Sequence, residues 1–241
     1  MQPPTTAILI PPRRRRLRHD LTALSTLLVG YGLASYMIVP LWWQHHAQAL
    51  GLSNTPMVTH TRSGIPGDPV NVALVGSKQQ VIQAMRKAGW DEVDRTTVRS
   101  SAKIAESVVL GKSYPTAPVS RLFLFGRAQD LAFQRQVGHS ARRRHHVRFW
   151  RSDQVIDGRP VWFGAVTYDT KAGFSHRTGQ ITHHIGPDID AERNELIAGL
   201  SRKHLFTRTY QIRGIGPTRN GKNGGGDRYF TDGMVTVGVL K

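Results

Sequence analysis

The sequence predicts an α+β domain with a mainly antiparallel sheet and about three helices, preceded by one transmembrane helix. Three observations predict this fold class. Residues 21–43 form a long uncharged segment, helix-like segments with capping residues follow it, and β-branched and aromatic runs separated by Gly-rich turns fill much of the second half. At 241 residues, the chain is long enough for one domain and an appendage.

The uncharged segment is long enough to cross a bilayer. It contains 23 residues, and at about 1.5 Å of rise per residue it reaches roughly 34 Å as a helix, against a hydrocarbon core of about 30 Å. Trp42 and Trp43 stand at its far end, where amphipathic rings favour the membrane interface. The segment therefore predicts a transmembrane helix.

The charges around this segment predict its orientation. Five arginines lie within residues 13–18, and the next basic residue is Arg62. The positive-inside rule places the amino terminus in the cytoplasm and the rest of the chain outside it. A cleaved signal peptide is the alternative, because residues 47–49 (AQA) have the small-residue pattern of a cleavage site, although the apolar run exceeds the usual length of about 7–15 residues.

The predicted organisation has four parts: a cytoplasmic basic tail (1–20), the transmembrane helix (21–43), a linker (44–67) and the α+β domain (68–241). Residues 44–68 carry Gly, Pro, Ser and Thr without helix or strand periodicity, which is typical of a linker.

Within the domain, local patterns predict the elements. Residues 70–76 form a β-branched strand, and the helix after it has Ser77 as its N-cap. A second helix is predicted at 100–111, and a third at 188–205 with Asp188 or Asp190 as its cap. Asp157-Gly158 predicts a hairpin turn. The strand candidates are residues 121–134, 145–152, 159–169, 206–213 and 234–240.

The composition limits the chemistry. Lys and Arg number 33 against 16 Asp and Glu, for a net charge of +17, and from residue 65 onward the counts are 27 against 15, so the domain itself is basic. This charge favours anionic partners. The chain has no cysteine, which excludes disulfides, zinc ribbons and thiol catalysis. A metal would have to bind to His, Asp or Glu.

Two pairs of adjacent histidines are candidates for that role. In the strand-like segment 144–150 (RHHVRFW), alternation places His145 on one face and both His146 and Arg148 on the other. A metal therefore needs one residue from each pair, and His145, His183 and Asp227 form one such set with an open position for water. Direct acid/base catalysis has a wider set of candidates. These are His145, His146, His183, His184 and Asp227.

The spacing does not demand a metal, because no H-E-x-x-H motif is present. A divalent metal, acid/base chemistry and histidines that only satisfy buried polar partners all remain open.

Arginines and glycines form the candidate binding residues. Arg144, Arg148 and Arg151 lie in a strand candidate with interleaved aromatic rings, and arginine forks bind phosphate in a bidentate manner. The segment 220–233 (NGKNGGGDRYFTDG) adds Gly225, Gly226 and Arg228, because glycine-rich backbone can form an amide nest for an anion.

The alternative for both segments is structural: a charged strand edge and a loop that leads into the last strand. The outward topology argues against nucleic acid as a partner. It favours a membrane lipid that carries phosphate, or another anionic ligand of the cell envelope. No protein partner is predicted.

Five ordered segments are similar to the LssY carboxy-terminal domain family. They are YPTAPVSRLFLFGRAQDLAFQ, RHHVRFWR, GRPVWFGAVTYD, TGQITHHIGPDIDAERN and NGGGDRYFTDG. The resemblance spans residues 68–240. In that family the domain is often fused to membrane regions that resemble phosphatidic-acid phosphatases or DedA-type proteins, which implies work at the cell envelope. This chain has one predicted span before the domain, so the phosphatase activity of such a module does not carry over.

Two functional hypotheses follow. The first is an anchored, outward-facing binding or accessory module for phosphate-bearing lipid or another anionic ligand. The second is a metal-dependent or His-based hydrolase that acts on phosphoesters at the membrane. The second hypothesis requires three of its histidine and aspartate side chains to converge within about 5 Å.

Overall fold

The computed structural model of the chain describes residues 13–43, 57–93, 120–138, 140–214 and 220–241. The helix predicted at 100–111 lies outside the described residues. In the rest of the chain the structure is α+β, with mainly antiparallel sheets, as the sequence predicts.

The amino-terminal helix is long and apolar. Helix α1 (Arg13–Leu33) continues through a π-helical turn (Ala34–Ile38) into helical backbone that reaches Trp43. The stretch His19–Trp43, here called the apolar helix, is long and apolar enough to cross a membrane, and little of it is buried against the protein. Its length and composition fit the predicted span, and a signal sequence at the amino terminus shares these properties.

Two further helices cover one face of the domain. Helix α2 (Lys78–Lys87) begins at a capping box, in which the Ser77 hydroxyl accepts the Gln80 backbone N–H and the Gln80 side chain accepts the Ser77 N–H. Helix α3 (Ile189–Arg202) begins after Asp188, whose carboxylate accepts the Ala191 N–H. Both caps are those that the sequence predicts.

Fourteen strands are present in the described ranges. They are β1 (Val58–His60), β2 (Pro66–Pro69), β3 (Val72–Val75), β4 (Asp91–Glu92), β5 (Phe123–Leu124), β6 (Arg127–Ala128), β7 (Leu131–Val137), β8 (Ser140–Ile156), β9 (Arg159–Phe174), β10 (Ile181–Ile185), β11 (Phe206–Arg213), β12 (Asn220–Lys222), β13 (Arg228–Phe230) and β14 (Met234–Leu240).

The large sheet has the order β11-β14-β3-β9-β8-β7-β4, and β10 pairs with the far end of β9. Among its described strands, only β14 and β3 run parallel to each other. A smaller sheet has the order β2-β1-β5-β6, and β12 and β13 form a separate hairpin.

The large sheet buries both of its faces. One face packs on α2 and α3 through an apolar core that includes Phe149, Leu196 and Leu200. The other face packs on the smaller sheet through a second apolar core that includes Trp150 and Leu122. Because both layers are filled, polar groups on the inner positions of β8 must find partners inside the protein.

The structure differs from the sequence-based elements in two places. Strands β1 and β2 lie in residues 58–69, within and just beyond the stretch predicted as a linker, so this part belongs to the folded domain. The single strand predicted at 121–134 is divided into β5, β6 and the start of β7 by a tight turn at Phe125 and Gly126, both with positive φ. The hairpin turn predicted at Asp157-Gly158 is present between β8 and β9.

Candidate anion-binding cavity

A cavity of about 340 Å³ lined by many charged side chains lies beside the first half of β8 and the carboxyl-terminal part of β9. Its lining comes from the large sheet, from segments of the smaller sheet, from the loop at 223–225 and from the apolar helix. We call it the arginine cavity. Its charged and titratable lining residues are Arg62, Asp68, Arg121, Arg144, His146, Arg148, Asp169 and His183.

The floor of the arginine cavity is built by alternate residues of β8. Arg144, His146 and Arg148 share one face of this strand, as the sequence predicts for His146 and Arg148, and all three are buried. Asp169 is the cross-strand partner of Arg144 on β9 and lies on the same face. The same strand alternation points Trp150 into the second apolar core. Nearer the start of β8, it places three basic side chains side by side.

Each arginine of the floor is fixed by a carboxylate. The Nε of Arg144 donates to Oδ2 of Asp169 at 2.9 Å, and a second nitrogen donates to the side-chain oxygen Oε1 of Gln134 at 2.6 Å. Arg148 donates to Oδ2 of Asp68 at 3.2 Å. Charge-assisted bonds of this kind hold the guanidinium groups in one orientation.

His146 connects the two ion pairs. Its Nε2 accepts a hydrogen bond from Arg148 at 2.7 Å, so this nitrogen carries a lone pair. Its Nδ1 lies 3.0 Å from Oδ1 of Asp169, an ionic contact in which neither atom forms a well-directed hydrogen bond to any described residue. These partners assign the ring proton to Nδ1, facing the carboxylate.

Burial and neighbouring charge act in opposite directions on the floor. Burial alone would raise the pKa of Asp169, but His146 and Arg144 outweigh it and hold that pKa well below its ordinary value. Burial lowers the pKa of Arg148, and Asp68 and Asp169 oppose this shift. Asp169 is therefore an ionised carboxylate at neutral pH.

A bulge between β9 and β10 brings His183 to the cavity. His184 pairs with Lys171 but Ile185 pairs with Asp169, so β9 advances by two residues where β10 advances by one. The extra residue shifts the alternation, and His183 lines the cavity together with Asp169.

His183 is a neutral imidazole at pH 7. Burial lowers its pKa to about 4, with further lowering by nearby Arg144, His146 and Arg148, against an opposing effect from Asp169. A neutral ring both donates and accepts hydrogen bonds. His183 therefore adds hydrogen-bonding capacity to the cavity without adding charge.

The rim of the cavity carries the uncompensated charge. Arg62 and Arg121 are exposed, and neither forms an ion pair with a carboxylate in the part of the chain that the structure describes. The lining contains four arginines and two aspartates. Because Arg144 and Arg148 are already balanced by Asp169 and Asp68, the rim arginines account for the net positive charge.

The apolar helix forms part of the cavity lining through Tyr36 and Pro40. The helix is held there by the turn between β9 and β10. The Tyr31 hydroxyl donates to the Gly179 carbonyl at 2.6 Å, and the Gln180 amide donates to the Ser35 carbonyl at 2.9 Å. The cavity thus lies beside a helix with the properties of a membrane span.

A second polar cluster lies next to the cavity and has the residue types of a metal site. His184 Nδ1 lies 2.6 Å from Oδ1 of Asp227, and His176 Nε2 lies 3.8 Å from the same oxygen. One ligand atom from each of these residues falls within 4.8 Å of the others. The second oxygen of Asp227 accepts the Ile185 N–H at 3.1 Å, which orients the carboxylate. Two imidazoles and a carboxylate suit zinc or a similar divalent ion.

The structure separates the five predicted catalytic residues into three places. His145 lies on the helix-covered face, where its Nδ1 contacts Glu192 at 2.6 Å. His146 and His183 line the arginine cavity, and His184 and Asp227 pair with each other. The metal set His145, His183 and Asp227 is therefore not brought together, whereas His184 and His176 lie beside Asp227.

The predicted binding residues also divide. Arg144, Arg148 and Gly225 line the cavity. Arg151, Arg228 and Gly226 do not line it. Gly226 has a φ of 91° in the loop, in which the Asn223 side chain accepts the N–H groups of Gly225 and Asp227.

Several site residues are not identified by the sequence analysis. They are Arg62, Asp68, Arg121, Asp169 and His176. Asp169 had a visible signal, because it ends the strand motif VTYD and a buried strand end with a carboxylate requires a cationic partner. Arg62 had none, since it lies in a segment that resembles a linker.

A family model described as LssY C-terminus matches residues 52–235. The match includes β1 and β2, in agreement with their packing on the domain. No curated protein and no solved structure shows a significant match to the chain.

Proposed function

The chain belongs to the LssY C-terminus family, and we propose that it is a membrane-anchored binding module whose arginine cavity holds the phosphate group of a lipid or of another anionic envelope ligand. The observation that carries this proposal is the excess of arginine in a cavity that borders the apolar helix.

The charges favour a phosphate ligand. In each ion pair of the floor, the aspartate neutralises its arginine. The attraction for an anionic ligand therefore comes from Arg62 and Arg121 at the rim. Arginine presents a planar fork that matches two phosphate oxygens. The volume of about 340 Å³ suits a head group and is at the lower end of ligand sites, which run from roughly 300 to 1,000 Å³.

The floor supports the rim by being rigid. Asp169, Gln134 and Asp68 hold Arg144 and Arg148 in place, so these two guanidinium groups need no reorganisation when the ligand binds. The neutral ring of His183 supplies a donor to a phosphate oxygen at pH 7. Removal of a floor residue would therefore disturb binding through folding, and rim substitutions test binding itself.

We further propose that the amino terminus is cytoplasmic and the domain extracytoplasmic. The five arginines before the apolar helix support this orientation. A reporter that is active only outside the cytoplasm, fused to the carboxyl end, is expected to be active. Activity of a cytoplasm-dependent reporter at the same position would contradict the orientation.

The test of ligand binding uses the full chain in phosphatidylcholine nanodiscs. Short-chain, water-soluble phosphatidic acid is titrated by calorimetry, with inorganic phosphate in a parallel titration. Because each lost charge-assisted contact is worth about 1.5–3 kcal/mol, Arg62→Gln with Arg121→Gln is expected to weaken binding by at least about tenfold.

The matched control replaces two exposed arginines outside the cavity, Arg151→Gln with Arg228→Gln. It removes the same net charge and is expected to leave affinity unchanged. Equal weakening in both double variants would show that general charge, not the cavity, binds the ligand. Equal affinity for inorganic phosphate would assign the site to phosphate without a lipid moiety.

A second candidate function is a metal-dependent or His-based hydrolase acting on phosphoesters. The specific observation in its favour is the cluster of His176, His184 and Asp227, which has three metal-binding side chains beside the cavity. His183 is a neutral base within the cavity itself. The hydrolase hypothesis requires either a bound metal or catalytic turnover, whereas the binding module requires neither.

Metal analysis of the purified full chain separates these functions. The hydrolase hypothesis predicts about one zinc or similar ion per chain, lost in His184→Ala because its ring supplies one of three ligands. His204→Asn is the control, since His204 is exposed with a positive φ that asparagine tolerates. If the wild-type protein contains no metal and releases no phosphate from phosphatidic acid, the hydrolase hypothesis is rejected and the binding module is the remaining function.

A further inference from the structure

The turn between β9 and β10 contacts the middle of the apolar helix, not its end. Tyr31 and Ser35 bond to Gly179 and Gln180, and the Tyr36 hydroxyl accepts the Ile181 N–H at 3.2 Å. Tyr31 and Tyr36 precede Trp43 by twelve and seven residues, which corresponds to about 18 and 10 Å along a helix axis. The hairpin therefore reaches well below the level of the terminal tryptophans.

The other side of the helix remains apolar over the same length. Met37, Ile38, Leu41 and Trp42 are all exposed. Such a surface is stable in lipid and unfavourable in water, so the bilayer must extend at least to Trp42 on that side. The hairpin then shares the same membrane depth, on the opposite side of the helix.

The backbone N–H groups of this hairpin turn are satisfied without water. The N–H groups of residues 175–181 all have acceptors within the protein. These acceptors are the carbonyl oxygens of Gln180, Gly225 and Ser175 and the hydroxyl oxygens of Ser175, Thr178 and Tyr36. A turn in water does not need this, but non-helical backbone in a bilayer is tolerated only when its polar groups are paired inside protein.

The flanks of the turn are apolar and exposed. Phe174 and Ile181 are cross-strand partners, 62% and 69% exposed. The Phe174 ring meets the Tyr31 ring edge-on at 6.1 Å, which makes its surface continuous with that of the helix. Arg177 places its guanidinium 5.3 Å from the centre of the Trp43 ring, at the interface end, where a long cationic side chain can reach the head groups.

The contact is built for close approach. The π-helical turn Ala34–Ile38 contains Ser35, which the domain buries. A Cβ at Gly179 would lie 3.0 Å from the Ser35 hydroxyl oxygen, and the φ of Gly179 is 70°. Glycine therefore meets two requirements at this position: it leaves room for the Ser35 hydroxyl, and it adopts a positive φ without strain.

From these observations we infer that the β9–β10 hairpin inserts into the lipid leaflet on the domain's side, next to the apolar helix. Tyr36, Pro40 and Ile181 line the arginine cavity, so the cavity opens toward the lipid and its ligand enters sideways, with the acyl chains still in the bilayer. This lateral entry rests on the head-group binding proposed above, whereas insertion of the hairpin does not.

Insertion is tested by depth measurement on the full chain in liposomes. The chain has no cysteine, so Phe174→Cys gives a single nitroxide attachment site. Val155→Cys is the matched control, because Val155 is also apolar and 63% exposed but lies at the β8–β9 hairpin. The label at 174 is expected to show a several-fold higher ratio of oxygen to water-soluble nickel-complex collisions than the label at 155. Equal ratios would overturn the inference.

Lateral entry is tested with Phe174→Glu against Val155→Glu, since Phe174 does not line the cavity. Phe174→Glu is expected to reduce several-fold the phosphatidic acid that co-purifies from liposomes, with unchanged affinity for the short-chain form.

Unchanged co-purification would overturn lateral entry. Loss of affinity for both forms would overturn it as well, because the variant would then act on the cavity and not on access. Absent short-chain binding in the unmodified chain would instead contradict the proposed function.

Discussion

The two faces of β8 place adjacent histidines in opposite environments. On the helix-covered face, His145 pairs with Glu192 from α3 and lies 5.0 Å, centre to centre, from the Tyr168 ring. On the other face, His146 lies within a network that holds Asp169 and Arg148. Both side chains are largely buried, so burial alone does not distinguish a structural histidine from one at a site.

What distinguishes the two faces is how many buried charges each must accommodate. The helix-covered face holds the His–Glu pair and the more exposed Arg135–Glu195 pair above an apolar core, and loss of the His–Glu pair leaves a side chain that can reorient toward solvent. The cavity face holds Arg144, Arg148 and two aspartates with almost no solvent exposure. In such a network each member depends on the others, because an unpaired buried charge costs several kcal/mol.

The largest effect is expected from breaking the network at its centre. Asp169→Asn removes the charge that balances Arg144 and leaves one acceptor oxygen where Arg144 and His146 each face one, so it is expected to destabilise the fold by about 3–5 kcal/mol. Glu192→Gln breaks the corresponding pair on the other face, and with partial exposure it is expected to cost about 1 kcal/mol or less. Denaturant unfolding of both variants in the same detergent gives the comparison.

If Asp169→Asn costs no more than Glu192→Gln, the two faces are equivalent and the network does not constrain the fold. If Asp169→Asn does not fold, Gln134→Leu, which removes a neutral partner of Arg144 and leaves its carboxylate in place, is expected to fold with a smaller loss of stability.

The fold could be predicted from the sequence where the signals are local. The caps at Ser77 and Asp188 and the turn at Asp157-Gly158 require only a few neighbouring residues. The strand order could not be predicted, because pairing of β14 with β3 joins segments about 160 residues apart and no local pattern encodes it. The pairing of β1 with β5 was missed for the same reason.

The site could be predicted only in part. Alternation along β8 correctly grouped His146 with Arg148, since a strand's period is fixed by its geometry. Which histidine of the second pair faces the cavity depends on the bulge at Ile185, which the sequence of β10 does not reveal. Asp68 reaches Arg148 across 80 residues, so its role is visible only after folding.

The smaller expected effect is a pH dependence of stability. It is expected from the arginine cavity and not from the helix-covered face. The pKa of His183 is about 4 in the folded protein, against about 6.5 in an unfolded chain, so between these values the unfolded state binds more protons. Stability from His183 is therefore complete above about pH 6.5 and is lost as pH falls toward 4. Asp169 stays ionised throughout this window because its folded pKa is lower still.

Between pH 7 and pH 5, His183 is expected to contribute a loss of about 1–2 kcal/mol in the free energy of unfolding. His183→Gln removes the titrating group and is expected to flatten this part of the profile, while His145→Gln on the helix-covered face is expected to leave the cavity-linked slope in place. Unfolding curves of the three proteins at both pH values measure the difference. A wild-type slope that survives in His183→Gln would show that the loss arises elsewhere, and that His183 is not held neutral by its burial beside the arginines.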